Sequence, residues 1–248
     1  MELTNGTLLG FVLILTRIGA FFAASPLFSW QAIPIQAKIT IALVLSAFFA
    51  VLTPPPEPAA TLGAATLRIV DETCYGLALG LVAYCLLAVI RIAGGIIEQE
   101  MGLTMASVMD PFTGEEGQPV GTLLEIIFVL LLFAADGHHL MLQILSRSFS
   151  GYNPGAAPTA AALADSVIKA SSIMMMLALQ LAAPLLAAFL LMVVVLAFMA
   201  RVAPEANVLF LSLPLRCGLG LLMLGIFLPF LAAFLKQFTV WLNKLIPI

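Results

Sequence analysis

Apolar residues occur along this chain in six long runs, separated by stretches that are rich in proline, glycine and charged residues. A helix needs roughly 20 apolar residues to cross the hydrocarbon core of a bilayer, and most of these runs approach that length. We therefore predict about six hydrophobic helical segments. They cover about residues 8–29, 36–53, 70–92, 121–135, 171–200 and 208–235.

The stretches between these segments predict where the helices are interrupted. Residues 98–120 and 146–170 are long stretches in which polar, Gly and Pro residues interrupt the apolar pattern, and we predict two long polar loops there. The last two segments contain Pro184, Pro214 and Pro229, which predict breaks in the helices. Short, broken or charged segments are tolerated in a membrane where protein surrounds them. We therefore expect helical hairpins that pack against other chains.

Composition places the chain among integral membrane proteins. Hydrophobic residues make up 62% of its 248 residues and charged residues only 9%, whereas a soluble domain has about a quarter charged residues. The formal net charge is −3, and Lys and Arg are scattered singly. Such a chain has no basic surface for nucleic acid. We predict a single all-α membrane domain over residues 1–248.

The sequence contains no motif for catalysis, nucleotide binding or a metal. GxSxG, GxxxxGK[ST], GxGxxG and CxxC are all absent, so we expect neither catalytic residues nor a cofactor. His138 and His139 follow Asp136, but adjacent side chains on a helix point about 100° apart, which favours a polar helix end over a metal site. Glu98 and Glu100 lie two residues apart and are interpreted as marking a helix that leaves the apolar layer.

Charged residues inside or beside the apolar segments are costly in a membrane, by at least about 2.5–3.5 kcal/mol each at the bilayer centre. We predict that each of them faces protein or a water-filled cavity. For two of them, Arg17 and Asp136, an interfacial position is an equally good explanation. The set is Arg17, Glu125, Asp136 and Arg216.

Small and polar residues in the segments predict close helix packing. Gly76 and Gly80 form a GxxxG pattern, which lets two helix backbones approach each other closely. We predict the same role, in packing or as buried polar groups, for His138 and Asn207.

The stretch 102–119 combines an apolar surface with residues that prevent regular helix. Methionine is flexible and deformable, so such a loop could fill a pore and yield to a passing chain. A plain connecting loop is an equally good explanation from these residues alone. The residues that define the predicted channel plug are Gly102, Met105, Met109, Asp110, Pro111, Phe112, Gly114 and Gly117.

Four stretches of the chain resemble the FliR family of flagellar export-gate subunits, whose form is shared with virulence injectisomes. They follow each other in the order of the family and cover most of the chain. They are RIGAFFAASPLFSWQAIPIQAKITIALVLS (17–46), GGIIEQEMGLTMASVMDPFTGEEGQPVGTLLEIIFVLLLF (94–133), DGHHLMLQILSRSF (136–149) and RVAPEANVLFLSLPLRCGLGLLML (201–224).

The resemblance implies a non-enzymatic core subunit of the type III export gate in the bacterial inner membrane, within the flagellar basal body. FliR-like chains form a ring with FliP-type and FliQ-type subunits, beside FlhB-type and FlhA-type export proteins. The substrates are unfolded secreted polypeptides. The loop that matches residues 102–119 closes the channel at rest.

Three other functions stay open at this point. The first is a stand-alone secondary transporter for a small solute. The second is an intramembrane enzyme that uses His138 and Asp136. The third is an assembly factor that shares the partners of an export gate but does not seal a channel.

Overall fold

The described part of the chain is built from α-helices. A computed structural model describes residues 2–25, 34–56, 61–103, 118–202 and 208–245, and every regular element in these ranges is a helix. The all-α prediction is therefore confirmed. The helices are α1 (Glu2–Ala24), α2 (Ile35–Leu52), α3 (Leu62–Met101), α4 (Pro119–Ala134), α5 (Gly137–Gly151), α6 (Ala160–Val202) and α7 (Val208–Leu245).

Five of the described helices are long and apolar enough to span a membrane, namely α1, α2, α3, α6 and α7. The helices α4 and α5 are separated by a short break at Ala135 and Asp136, and the number of candidate spans is six if this bent pair is one span. The expectation of about six hydrophobic segments is confirmed. In the most apolar part of α3, 65% of the residues are buried, against 17% in α2, so other helices cover α3 more fully than α2.

The helices extend further into the two predicted loops than the sequence indicated. In the predicted loop 98–120, α3 continues to Met101 and α4 begins at Pro119. In the predicted loop 146–170, α5 ends at Gly151 and α6 begins at Ala160. The prediction of a loop over all of 146–170 is therefore wrong. Alanine-rich sequence favours helix, and the Asp165–Lys169 pair at 2.6 Å supports the first turns of α6.

The three prolines do not break their helices. Pro184 lies inside α6, and Pro214 and Pro229 lie inside α7. The predicted interruptions at these positions are therefore wrong. A proline removes one backbone hydrogen bond, and an apolar helix tolerates this loss when local adjustments satisfy the freed carbonyl.

The chain divides into two compact units. The first contains α1, α2, α5, the part of α3 up to Leu86 and the start of α6 up to Ser172. Its core includes Leu13, Ile18, Phe21 and Leu79. Within this unit, α1 packs against α2.

The second unit contains α4 together with α3 from Leu87, α6 from Ile173 and most of α7. Its core includes Ile90, Leu124 and Phe128, and the ring centroids of Phe128 and Phe234 lie 6.1 Å apart. Each unit therefore has an apolar core of its own.

Candidate functional site

The first unit contains a buried ion pair between α1 and α3. The guanidinium of Arg17 donates from Nε to Oε2 of Glu72 at 2.5 Å and from Nη2 to Oε1 at 2.8 Å. Both side chains are 0% exposed. A two-bond pair of this kind has a fixed orientation, because the planar guanidinium matches the two carboxylate oxygens.

The other groups around Arg17 come from α5, from the residue after it and from Tyr75 on α3. Nη1 of Arg17 donates to the carbonyl oxygens of Ser148 at 3.0 Å and of Tyr152 at 3.1 Å. The guanidinium carbon lies 4.6 Å from the ring centroid of Tyr75 and 4.5 Å from that of Phe149, within cation–π distance of both. Arg17 is therefore surrounded by charge, carbonyl and aromatic partners.

Glu72 extends the same network to the turn between α5 and α6. Its Oε1 accepts a hydrogen bond from the backbone N–H of Gly155 at 2.7 Å. Gly155 has a φ of +89°, a conformation that side chains rarely adopt, so glycine lets the turn bring its N–H to the carboxylate. The pair thus joins α1, α3, α5 and this turn.

Gly76 and Gly80 lie on α3 directly against α1. A Cβ at Gly76 would overlap the carbonyl oxygen of Arg17, and a Cβ at Gly80 would lie 2.6 Å from the Cβ of Ala24. The two backbones therefore approach each other as a GxxxG pattern allows. Glu72 lies one helical turn before Gly76 on α3. The close approach of the two helices therefore places its carboxylate beside the guanidinium of Arg17.

Glu98 lies buried in the second unit, at 0% exposure. Its Oε2 accepts hydrogen bonds from the backbone N–H groups of Val120 at 3.1 Å and Gly121 at 3.5 Å, at the start of α4. The interpretation of Glu98 as marking a helix that leaves the apolar layer stays a prediction, and α3 ends three residues later at Met101. A buried carboxylate is stable there because the N-terminus of a helix offers unpaired donors and positive potential.

Two other predicted charges make weaker contacts in the second unit. Glu125 is 36% exposed and lies 3.9 Å from Nε of Arg91, which is 55% exposed. Arg216 is half-buried, and its Nη1 donates to the carbonyl oxygen of Glu100 at 3.5 Å. An arginine near the C-terminal end of a helix interacts favourably with the carbonyl groups there.

Asp136, His138 and His139 form a cluster at the start of α5. Oδ1 of Asp136 lies 4.0 Å from Nε2 of His138 and 3.6 Å from Nδ1 of His139. One ligand atom of each residue lies within 4.8 Å of the others, so the expectation that the two histidines diverge is wrong. Asp136 has a φ of +57° and does not cap the helix with its side chain, which lets its carboxylate face both rings.

Most of this cluster is exposed. Asp136 is 75% exposed, which agrees with the interfacial explanation for this charge. The exposed side-chain fractions of His138 and His139 are 41% and 62%. Exposed acidic groups near histidines are common without an ion, and we assign this cluster no metal.

The predicted plug lies mostly outside the described residues. Gly102 is described, and it ends α3 with a φ of +78°. The N–H of Gly102 donates to the carbonyl oxygen of Gln99 at 3.1 Å, and the N–H of Leu103 donates to the carbonyl oxygen of Glu98 at 3.3 Å. These two hydrogen bonds form a Schellman motif. The other residues of the predicted plug lie outside the described residues, namely Met105, Met109, Asp110, Pro111, Phe112, Gly114 and Gly117. Asn207, from another segment, also lies outside them.

Sequence reasoning missed the two buried carboxylates, Glu72 and Glu98. Glu72 is separated from Arg17 by 55 positions, and no local pattern joins them. A usable signal existed, because Arg17 interrupts an apolar segment and a buried cation needs an anion. Glu98 is separated from its partner Val120 by 22 positions that include the predicted loop.

A cleft of about 340 Å³ lies beside the ion pair in the first unit. Its lining includes Phe49, Ser146, Phe149 and Asn153, and it contains hydroxyl and amide groups but no charged side chain. Nothing in this lining selects a charged ligand, and we assign it none.

Comparison with known proteins matches nearly the whole chain to one family. The family model described as "Bacterial export proteins, family 1" matches residues 8–240. Flagellar biosynthetic protein FliR of Bacillus subtilis (strain 168) is 32% identical over 218 residues, which are 86% of this chain and 84% of the relative. FliR of Caulobacter vibrioides is 30% identical over 238 residues, 94% of this chain and 91% of the relative.

A relative that bears another name is similar over a comparable length. Yop proteins translocation protein T of Yersinia pestis is 28% identical over 233 residues, which are 91% of this chain and 88% of the relative. The similarity thus covers the ion pair, the glycine contact and the buried Glu98 alike.

Proposed function

Because this chain belongs to the family of bacterial export proteins, family 1, we propose that it is a core membrane subunit of a type III protein export gate of the flagellar kind. The observation that carries this proposal is the extent of the similarity, since the family model covers residues 8–240. Relatives named as FliR and as a Yop translocation protein both match over more than four fifths of their length. A match of this extent concerns the whole membrane fold and not one motif.

The distribution of polar and apolar groups supports an assembled subunit. The ion pair of Arg17 and Glu72 is buried inside the chain, whereas large apolar side chains on α2, α6 and α7 are exposed. Exposed apolar surface of this extent needs lipid or protein around it. We propose that both are present: lipid of the inner membrane and neighbouring gate subunits of the FliP, FliQ, FlhB and FlhA types.

We propose that the stretch 102–119 is the channel plug. The support comes from the residue types in the sequence, with Met105, Met109 and Phe112 as an apolar and deformable seal. The Schellman motif at Gly102 ends α3 sharply and so starts this stretch at a fixed point. The proposed cargo is an unfolded polypeptide that displaces the plug as it passes.

We propose no enzymatic activity for this chain. In the described residues, the buried charged groups bond to each other and to backbone groups and do not surround a substrate cavity. Export is therefore attributed to the assembly and not to chemistry on this chain.

The experiment that tests the proposed function is affinity purification of the tagged chain in mild detergent, with the co-purifying proteins identified by mass spectrometry. We expect stable recovery of FliP-type and FliQ-type subunits, with FlhB-type protein as a weaker partner. A matched control is an unrelated tagged membrane protein of the same cell. Recovery of a stable chain without these partners, and solute flux by that chain alone in liposomes, would contradict the proposal and favour a transporter.

A further inference from the structure

A single residue, Glu98, holds both ends of the segment that connects α3 to α4. Its backbone carbonyl accepts a hydrogen bond from the N–H of Leu103 at 3.3 Å, at the end of α3. Its side-chain Oε2 accepts a hydrogen bond from the N–H of Val120 at 3.1 Å, at the start of α4. The connection therefore leaves α3 beside the backbone of Glu98 and enters α4 beside its side chain.

The start of α4 has no other described cap that could replace Glu98. Gln118 occupies the N-cap position and makes no side-chain capping hydrogen bond, and Pro119 has no N–H to donate. The first donors of this helix are thus Val120 and Gly121, and both point at Oε2 of Glu98. A carboxylate at a helix N-terminus also gains from the helix dipole.

Close packing of two glycines makes this capping possible. A Cβ added at Gly94 would lie 2.5 Å from the Cα of Gly121, so the two helices approach each other without side chains between them. Gly94 lies one turn before Glu98 on α3, and Gly121 is one of the two donors. Because Glu98 is 0% exposed, water does not compete for these hydrogen bonds.

We propose that Glu98 is a positioning residue that anchors the base of the connection between α3 and α4. The inference rests on the proposed function in one respect, namely that this connection closes the export channel. A seal depends on the position of its attachment points, and the side chain of Glu98 holds one of them, the start of α4, against α3. Glu98 acts through the backbone of other residues and does not touch the cargo.

Three variants separate the charge of Glu98 from its hydrogen bonds. Glu98→Ala removes the acceptor and leaves two N–H groups without it. Glu98→Gln keeps one acceptor oxygen for the two N–H groups but removes the charge. Its NH2 group takes the place of Oε1, which is buried and accepts no hydrogen bond in the described residues. Glu100→Gln is the matched control, because Glu100 lies on the same turn and contributes only its backbone carbonyl to a described bond.

The first measurement is hydrogen–deuterium exchange of the purified gate complex, at the peptide that contains Val120 and Gly121. Loss of a charge-assisted hydrogen bond shifts a local equilibrium by about tenfold or more. We expect exchange about tenfold faster in Glu98→Ala, an intermediate effect in Glu98→Gln and no change in Glu100→Gln. Equal exchange in Glu98→Ala and Glu100→Gln would overturn the proposal.

The second measurement is ion leak in living cells, read as the rate of cytoplasmic acidification after an external acid pulse. We expect a several-fold faster leak in Glu98→Ala than in Glu100→Gln at equal amounts of complex. A strain that lacks residues 106–117 serves as the reference for an open channel. If the deletion leaks and Glu98→Ala does not, the anchoring role in the seal is overturned.

Exchange and leak together distinguish the two proposals. If exchange increases in Glu98→Ala but neither that variant nor the deletion leaks, the channel plug is contradicted and the anchor at the base of the connection is supported. If Glu98→Ala yields no complex, exchange at Val120 and Gly121 is compared between Glu98→Gln and Glu100→Gln. Glu98→Gln keeps the acceptor oxygen and is expected to assemble. Equal exchange in Glu98→Gln and Glu100→Gln then overturns the proposal.

Discussion

Replacing Glu72 with alanine is expected to destabilise the first unit more than any other single change at a described position. The substitution leaves the guanidinium of Arg17 buried with two carbonyl oxygens and two aromatic rings but no anion. Removing one partner of a buried ion pair costs about 3–5 kcal/mol, because an uncompensated charge stays out of water. The N–H of Gly155 also loses its acceptor. We expect a much lower midpoint temperature in detergent and little protein in the membrane.

Two controls separate this effect from a general loss of charge. Asp165→Ala breaks the exposed pair with Lys169, in which both side chains are more than half exposed, and an exposed pair contributes only about 0–1 kcal/mol. The double variant Arg17→Met with Glu72→Leu removes both charges and is expected to recover part of the loss, because no ion is then left buried. A Glu72→Ala protein as stable as Asp165→Ala would contradict the account of this network.

Deleting residues 106–117 is expected to make the membrane that contains the proposed gate permeable to ions. The deletion removes Met109, Phe112 and Gly114 of the predicted plug and leaves α3, α4 and Glu98 intact. An apolar seal excludes ions because an ion loses its hydration in an apolar constriction, and a channel that has lost this seal fills with water. Cells should grow slowly and acidify quickly after an acid pulse. The measurement is cytoplasmic pH with a fluorescent reporter.

The control for the deletion is a loop of equal length that has lost its apolar surface. In this control, serine replaces Met105, Met109 and Phe112. The loop keeps its length but loses the apolar side chains of the proposed seal. We expect an intermediate leak in this variant. Normal impermeability in the deletion strain, with the complex assembled at wild-type amounts, would contradict the plug.

Helix identity followed from the sequence because the length of an apolar run is a direct physical constraint in a bilayer. The predicted segments 36–53 and 121–135 differ by a few residues at most from the helices Ile35–Leu52 and Pro119–Ala134. Helix ends were less predictable. The first part of α6 is rich in alanine and contains Asp165, Ser166 and Lys169, and its helix is supported by the alanine content and by the Asp165–Lys169 pair.

The candidate site was predictable only in part, because its contacts join residues far apart in sequence. Arg17 could be recognised as costly from its apolar surroundings, but Glu72 is one of several acids that could have paired with it. The pattern of Gly76 and Gly80 predicted close packing and did not identify α1 as the neighbour. Glu98 was interpreted as marking a helix that leaves the apolar layer, and no local pattern indicated that the first N–H groups of α4 would bond to its carboxylate.

The most direct test of the central claim is export itself. A strain that lacks this chain is complemented with the wild-type gene or an empty vector, and flagellar subunits are measured in the culture medium and inside the cell. An export-gate subunit predicts that secretion falls to the level of a strain without any export apparatus, while the subunits still accumulate inside, and that the wild-type gene restores secretion. Wild-type amounts of flagellar subunits in the medium of the strain without this chain would contradict the account.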